Sequence, residues 1–305
     1  MRLRSILSLA ALVATSMVAL AQMDQSVILP ENSAKRVSDH VYAIMGFPNI
    51  AIVIGSRATL VVDTGMGARN GQIITREVER LSKNQVLYLT TTHFHPEHAA
   101  GEPGFPPRTI LIRNTVQQQE MDANGRQMIE MFSKMSAQNK ELLDGVVLRK
   151  PDILFDNELK LDLGGGVTAR LLWFGPGHTK GDQLIFVEPD STLISGDVVQ
   201  NKRVPGIYGD GGTPTSWIGV LDKLTPLNPR HILPDHSDAG DGSLIAQERA
   251  FILDVQTRGL ALKRQGVAAE DAGKRLVAEF KTKYPDWPNI NAVANFVQRV
   301  YDEGR

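Results

Sequence analysis

The segment from His93 to His98 constrains this chain more than any other stretch of its sequence. Three of the seven histidines fall within these six residues, at His93, His95 and His98, and Glu97 lies between the last two. In an extended segment His93 and His95 point to the same side, and Glu97 and His98 can turn toward the same point. Imidazoles and a carboxylate suit zinc, and the chain has no cysteine for a thiolate site. The segment therefore predicts a metal site; a polar loop with incidental histidines is the simpler alternative.

The residues before this segment are typical of strands that lead into it. β-rich runs at 41–45, 50–54 and 59–63 are separated by turn residues, which predicts an antiparallel meander. A helix is expected at 71–81 and a strand at 85–91, just before His93. Asp63 also ends a predicted strand. Strand ends are where α/β scaffolds place chemistry, so Asp63 joins the candidate residues.

The second half of the chain repeats this arrangement. Strands are predicted at 152–163, 167–173, 184–187, 192–195 and 230–233. His178 follows a tight turn at 175–177, Asp197 follows Gly196, and His236 follows the last strand. Two β-rich halves whose strands end on His or Asp predict two facing sheets with the polar residues collected at one edge.

Two further regions are expected to be helical. The segment 115–144 carries Met121, Met128, Met131 and Met135. These methionines suit an adaptable pocket wall, but their spacing also matches one buried helix face, which is the simpler interpretation. Beyond residue 242 the apolar periodicity predicts further helices, and this region contains no histidine.

The first residues and the overall charge bear on location and partners. Arg2, Arg4, an apolar run at 6–20 and the sequence Ala19-Leu20-Ala21 predict a signal peptide at 1–21, cleaved before Gln22. The mature protein is therefore expected to be periplasmic or secreted, without stable membrane insertion. The net charge of −1 offers no general attraction to nucleic acid or to an anionic membrane, so the expected partner is a small-molecule substrate.

Five short motifs together resemble the metallo-β-lactamase superfamily, in the order in which that family has them. They are Val62-Asp63-Thr64-Gly65, the His-x-His-x-acid-His segment at 93–98, Gly177-His178-Thr179, Gly196-Asp197 and Asp235-His236. The resemblance covers about residues 37–240. It implies an α/β fold, namely an αββα sandwich of two mixed β-sheets flanked by helices. The family domain would span 22–242, and 243–305 would form a C-terminal helical extension.

The resemblance also implies a binuclear metal centre. Seven ligands are carried over position by position: His93, His95 and His178 for one ion, Glu97, His98 and His236 for a second, and Asp197 as the bridge. Zinc is the expected metal at both sites. Paired divalent cations can share a hydroxide and lower its pKa toward neutrality, which suits hydrolysis.

Two carboxylates, Glu97 and Asp63, are expected to take part in catalysis. By the resemblance, Asp63 would lie beneath the site and accept a hydrogen bond from a ligand imidazole or from the backbone of the cluster. An ordinary turn carboxylate is the alternative for Asp63. Glu97 departs from the family pattern, which usually has Asp there, so the second metal is expected to be displaced, weakly held or absent. Glu97 remains a predicted ligand because a Glu-bearing variant of the motif exists.

The expected activity is an exported hydrolase that opens an ester, thioester, lactone or β-lactam with a metal-bound hydroxide. Asp197 stands where zinc β-lactamases carry Cys or Ser, whereas thioesterases and lactonases of the superfamily keep Asp, so antibiotic hydrolysis is disfavoured. Among three cationic residues that follow presumed ligands, one could receive a substrate carboxylate, although surface charge is an equal alternative: Lys180, Lys202 and Arg203.

Three other functions remain open from the sequence. A mononuclear iron sulfur dioxygenase-like oxidoreductase would use mainly His93, His95 and His178. A non-catalytic binding protein would keep the ligand site without turnover. A serine hydrolase could use Ser195, but no Gly-x-Ser-x-Gly elbow surrounds that residue.

Overall fold

The computed structural model of the protein describes residues 26–209 and 211–303. The signal peptide expected at 1–21 lies outside the described residues. Among the described residues, no helix combines the length and the apolar character that a bilayer-crossing segment needs.

The first sheet has seven strands and mixed pairing. Its strands follow the chain order: β1 (Lys35–Arg36), β2 (Val41–Ile44), β3 (Ile50–Ile54), β4 (Ala58–Val62), β5 (Val86–Thr90), β6 (Ile110–Asn114) and β7 (Ile153–Phe155). The pairs from β1 to β4 are antiparallel, and those from β4 to β7 are parallel. The meander expected over 41–63 is therefore confirmed.

The second sheet has five strands and is also mixed. They are β8 (Glu158–Gly164), β9 (Val167–Leu172), β10 (Leu184–Glu188), β11 (Thr192–Gly196) and β12 (His231–Pro234). β8 to β11 pair antiparallel, and β11 pairs with β12 in parallel. The single strand expected over 152–163 is wrong: it divides between the two sheets at Asp156 and Asn157. These are turn-favouring residues, and they let the chain cross from β7 to β8.

Eight α-helices surround the sheets in the described part of the chain. They are α1 (Gly67–Leu81), α2 (Pro96–Ala99), α3 (Thr115–Ser133), α4 (Ala137–Leu143), α5 (Pro214–Leu224), α6 (Ser243–Arg264), α7 (Ala269–Lys283) and α8 (Val293–Glu303). The helix expected over 115–144 is interrupted after Ser133. Ser136 ends the break because its side chain accepts a hydrogen bond from the Asn139 N–H and caps α4.

The two sheets stack face to face because their strands alternate apolar side chains between two faces. In β3, Ala51 and Val53 join the cluster between the sheets, whereas Ile50 and Ile52 pack toward α1. The inner cluster also contains side chains from every strand of the second sheet, such as Ile185 of β10. This confirms the αββα sandwich.

The C-terminal helices pack on the outer face of the second sheet. Trp217 of α5, Phe251 of α6 and Phe296 of α8 lie in one buried cluster with Phe186 of β10. The helical extension expected after residue 242 is present. The division of the chain at 242 and 243 stays a prediction, since the two parts share this cluster.

The topology brings several strand ends to one edge of the sandwich. β4 and β5 run in parallel, so Asp63 and the segment that follows Thr90 leave the first sheet at the same edge. β11 and β12 also run in parallel, which places Asp197 and His236 side by side at an edge of the second sheet. The candidate residues therefore meet where the two sheets face each other.

A buried ion pair in the first sheet gives a test of this fold. Arg113 of β6 pairs with Glu102, and both side chains are fully buried. We expect Arg113→Met to lower the free energy of unfolding by about 3–5 kcal/mol, because it leaves the Glu102 carboxylate buried without its cation. Urea unfolding measures this loss. Arg57→Met is the control, since Arg57 pairs with Asp162 on the surface, and its cost should be much smaller than that of Arg113→Met. Equal costs would contradict the assignment.

Candidate metal centre

Seven predicted ligands converge at the edge where the two sheets meet, and all of them are buried. They come from the β5–α2 loop and α2, from the β9–β10 loop, and from the ends of β11 and β12: His93, His95, Glu97, His98, His178, Asp197 and His236. Pro96 begins α2 with the φ that a first helical residue needs, so Glu97 and His98 leave the same single turn. His40 and His231 lie outside these groups.

The first set consists of His93, His95 and His178, whose ring nitrogens meet at one point. Nε2 of His93 lies 3.0 Å from Nδ1 of His95, and Nε2 of His178 lies 3.2 Å from the same atom. Burial lowers the pKa of His93 and of His95 well below the ordinary value, so both rings are neutral at pH 7. Neutral imidazoles whose nitrogens lie this close together are suitable ligands for a divalent cation such as zinc.

The loop after Asn201 orients the third member of this set. Nδ1 of His178 lies 2.8 Å from the carbonyl oxygen of Gly206. Because a carbonyl only accepts, Nδ1 must carry the proton, which leaves the lone pair of Nε2 facing His93 and His95.

The second set consists of Glu97, His98 and His236. Oε2 of Glu97 and Nε2 of His98 are buried and have no hydrogen-bond partner among the described residues. Burial raises the pKa of Glu97 to about 7 and lowers that of His236 to about 4. Buried polar atoms rarely stay without partners, so this pair of orphaned atoms fits a bound cation.

Asp197 lies between the two sets. Its Oδ2 is 3.4 Å from Nε2 of His178, and its Oδ1 is 3.3 Å from Nε2 of His236. Gly196 holds the chain close to Thr92 just before Asp197. Its φ is +57°, which glycine adopts readily, and a Cβ at this residue would lie 2.8 Å from Cβ of Thr92. The donor set therefore fits divalent metal binding, and Asp197 lies within reach of a histidine of each set.

Beneath the second set, two carboxylates hold His98. Nδ1 of His98 lies 3.1 Å from Oδ2 of Asp63 and 3.3 Å from Oδ2 of Asp235. Asp63 also accepts a 2.6 Å hydrogen bond from the N–H of Thr92. Burial alone would lower the pKa of His98, but the carboxylates, Asp63 first, raise it well above the ordinary value. This part of the site therefore attracts positive charge.

Asp63 acts on the site through His98, and it is not among the residues that line the cleft. We therefore interpret it as a positioning residue, in the place beneath the site that the resemblance implied. Asp235 was missed as a contact of His98. The signal was present, because Asp235 precedes His236 at the end of a strand.

A cleft of about 880 Å³ opens above the ligands. Its floor includes His95, Glu97 and His236, and Phe47 packs on His236 with the ring centroids 4.5 Å apart. Ser195 is fully buried and donates its hydroxyl to the Val199 carbonyl, so it is not placed to act as a nucleophile. The cleft is within the range of small-molecule sites.

Comparison with known proteins identifies related sequences. The family model described as "Metallo-beta-lactamase superfamily" matches residues 44–236. A linear primary-alkylsulfatase from Pseudomonas sp. (strain ATCC 19151) is 22% identical over 214 residues, which is 60% of this chain and 40% of that protein. The chain thus spans about two fifths of the length of this curated relative.

Solved structures share the fold at low sequence identity. A metallo-beta-lactamase from Pontibacter korlensis has a TM-score of 0.59 at 17% identity, over 72% of this chain and 98% of its own. The stereoselective inverting sec-alkylsulfatase from Pseudomonas sp. has a TM-score of 0.67 at 13% identity, over 89% of this chain and 50% of its own. Residues 1–242 make up about 79% of the chain, so the sulfatase likeness extends into the C-terminal helices.

The role of Asp63 can be tested through metal affinity. We expect Asp63→Asn to weaken the more loosely held metal ion by about 10–100-fold, because His98 loses the charged acceptor that orients it. Asn tolerates the left-handed backbone at this position, where φ is +69°. Competition with a chelator measures the affinity.

The control uses a second aspartate–histidine pair remote from the site. Nδ1 of His40 lies 2.7 Å from Oδ1 of Asp190. Asp190→Asn should leave the metal affinity unchanged. A similar loss in both variants would show that the effect of Asp63 is a general loss of stability.

Proposed function

We propose that this chain, which belongs to the metallo-beta-lactamase superfamily, is a binuclear metal-dependent hydrolase with zinc as the expected metal. The observation that carries the proposal is the pairing of two ligand sets, His93/His95/His178 and Glu97/His98/His236, joined by Asp197 at the floor of a cleft. Relatives named as an alkylsulfatase and as metallo-beta-lactamases are hydrolases, which supports this reaction class.

The residues of the chain prepare the site for this reaction in three ways. The neutral rings of His93 and His95 present lone pairs. The Gly206 carbonyl turns Nε2 of His178 toward the site. The acidic side chains beneath His98 turn its Nε2 toward the site as well. Bound divalent cations would supply Lewis acidity and would lower the pKa of a water molecule. Burial excludes bulk water and so strengthens each of these interactions.

The substrate class includes esters, thioesters, lactones and β-lactams. The retained Asp197 favours the first three over β-lactams, as the family pattern indicates. The alkylsulfatase relatives add sulfate esters to this range.

We also propose export to the periplasm or the medium. The support is the basic start at Arg2 and Arg4, the apolar run and the Ala19-Leu20-Ala21 cleavage pattern. Comparison of the N-terminal residue of the cell-associated and exported protein would test it; an intact Met1 in the exported form would contradict cleavage.

The reaction class is tested with a substrate panel. Nitrocefin, a homoserine lactone, an acyl thioester and an alkyl sulfate should be compared with and without a chelator. We expect at least one to be cleaved, with activity lost on chelation and restored by zinc. Absence of cleavage with zinc or manganese present would contradict the hydrolase. Purified protein that contains mainly iron and consumes oxygen with a persulfide would instead support the dioxygenase.

Glu97 tests the number of metal ions. We expect Glu97→Gln to reduce the bound metal from about two ions to about one per chain, because the second set loses its only anionic member apart from the shared Asp197. Metal analysis after dialysis measures the ratio. Glu77→Gln is the control, since Glu77 is a buried glutamate that pairs with Arg80 away from the site. A ratio unchanged by Glu97→Gln would show that Glu97 is not a ligand.

A further inference from the structure

We propose that the cleft binds an anionic amphiphile, with an apolar chain along a wall of α3 and an anionic group, a sulfate or a carboxylate, on Arg203. This inference rests on the proposed function, since it names the substrate class of the same site. It assigns roles to residues of the cleft that are not metal ligands.

The apolar side of the cleft is formed by the C-terminal end of α3 and the turn that follows it. We call it the methionine wall; it consists of Met128, Met131, Phe132 and Met135, all of which line the cleft. The first three lie on one face of α3 at spacings of three and four residues, and Met135 lies in the turn between α3 and α4. Met131 is 44% exposed and Met135 is 59% exposed, so the described residues leave these two side chains open, whereas Phe132 is buried. Met121 is buried with Phe94, and Met128 packs against the same cluster. These two methionines therefore follow the simple packing interpretation, whereas Met131 and Met135 are exposed.

The wall reaches the metal centre. The rings of Phe132 and His95 lie 6.4 Å apart between centroids. A chain on the wall would therefore end beside the first ligand set. Methionine side chains are unbranched and polarizable, so they adapt to flexible alkyl groups.

Another part of the cleft lining is cationic. Arg203 lines the cleft together with His236 and is half-buried. Arg203 forms no ion pair or hydrogen bond with the described residues. Lys202, its neighbour, is exposed and pairs with Asp286 at 3.5 Å. Of the three cations noted in the sequence, only Arg203 lines the cleft.

The C-terminal helices hold the loop that carries Arg203. Asn289, just before α8, accepts a 3.0 Å hydrogen bond from the N–H of Val204 and donates a 2.7 Å hydrogen bond to its carbonyl. The N–H of Asn201 donates to Oγ of Ser237 at 2.8 Å. The backbone is therefore fixed on both sides of Arg203, which lowers the entropy cost of binding a ligand there.

Arg203 and the methionine wall together determine which ligand fits the cleft. A neutral polar substrate would leave Arg203 unpaired and the methionine wall in water. A highly charged substrate would gain from Arg203 but not from the wall. An ester with one anionic group beside His236 and an alkyl chain on α3 satisfies both sides.

Binding without turnover provides the first test. The probes are butane-, hexane- and octane-1-sulfonate, whose carbon–sulfur bond is not hydrolysed, and the measurement is calorimetry on zinc-loaded protein. We expect affinity to rise by up to about fourfold for each added CH₂. Arg203→Gln should weaken every probe by about tenfold or more without changing this chain-length dependence. Lys202→Gln, the matched control, should change neither quantity.

The methionine wall is tested separately. The double variant Met131→Gln/Met135→Gln should flatten the chain-length dependence and leave the effect of Arg203→Gln intact. Leu253→Gln, a control at an exposed apolar position on α6, should have no effect. If the double variant changes the oligomeric state and leaves the chain-length dependence unaltered, a second copy of the chain covers the wall and the proposal is overturned.

Turnover distinguishes the source of the anion and separates the two proposals. Octyl sulfate carries the anion at the scissile group, whereas mono-4-nitrophenyl glutarate carries a distant carboxylate; 4-nitrophenyl butyrate is the neutral comparison. We expect Arg203→Gln to raise KM for at least one anionic ester by about tenfold, with little change for the neutral ester. Equal effects on all three would overturn the amphiphile site while leaving the hydrolase intact. Sulfonate binding with both dependences but no cleavage would uphold the amphiphile site and contradict the hydrolase.

Discussion

The contact of His98 with Asp63 and Asp235 is the interaction on which the rest of the site depends. These residues leave α2, β4 and β12, so one imidazole connects both sheets at their shared edge. Buried carboxylates are costly unless a cation or donors satisfy them. The sandwich therefore has fully buried acidic groups that favour a positive charge, and the atoms of Glu97 and His98 that lack hydrogen-bond partners belong to the same site.

The metal centre and the cleft are connected through the loop at 201–208. Gly206 orients His178 of the first ligand set, and Arg203 of the same loop lines the cleft. Asn289 holds the loop from the C-terminal helices. These helices are therefore more than packing for the second sheet, since they support a residue proposed to select the substrate. The methionine wall depends on the end of α3 and the turn after it, where Met131 and Met135 are exposed.

Much of the fold could be predicted because it follows from local sequence patterns. Alternation in β2 to β4, the turns between them and the apolar periodicity after residue 242 depend on neighbours in the chain. The prediction of one strand over 152–163 was wrong because Asp156 and Asn157 form a turn within an otherwise strand-like run. Only the pairing of β7 with β6 and of β8 with β9 shows that the run divides. The expected burial of the methionines at 121–135 was only partly right for a similar reason. Periodicity shows which residues share a face, but not whether other residues cover that face.

The sequence by itself determined the chemistry of the site. The residue types and spacing of His93 to His98, with His178, Asp197 and His236 at later strand ends, specify donors for divalent cations, because ligand preference depends on atom type. Tertiary structure alone decided the rest: that Asp235 joins Asp63 around His98, that Arg203 rather than Lys202 or Lys180 lines the cleft, and that Asn289 holds its loop. These contacts join residues far apart in the chain, and their formation depends on how the two sheets and the C-terminal helices pack.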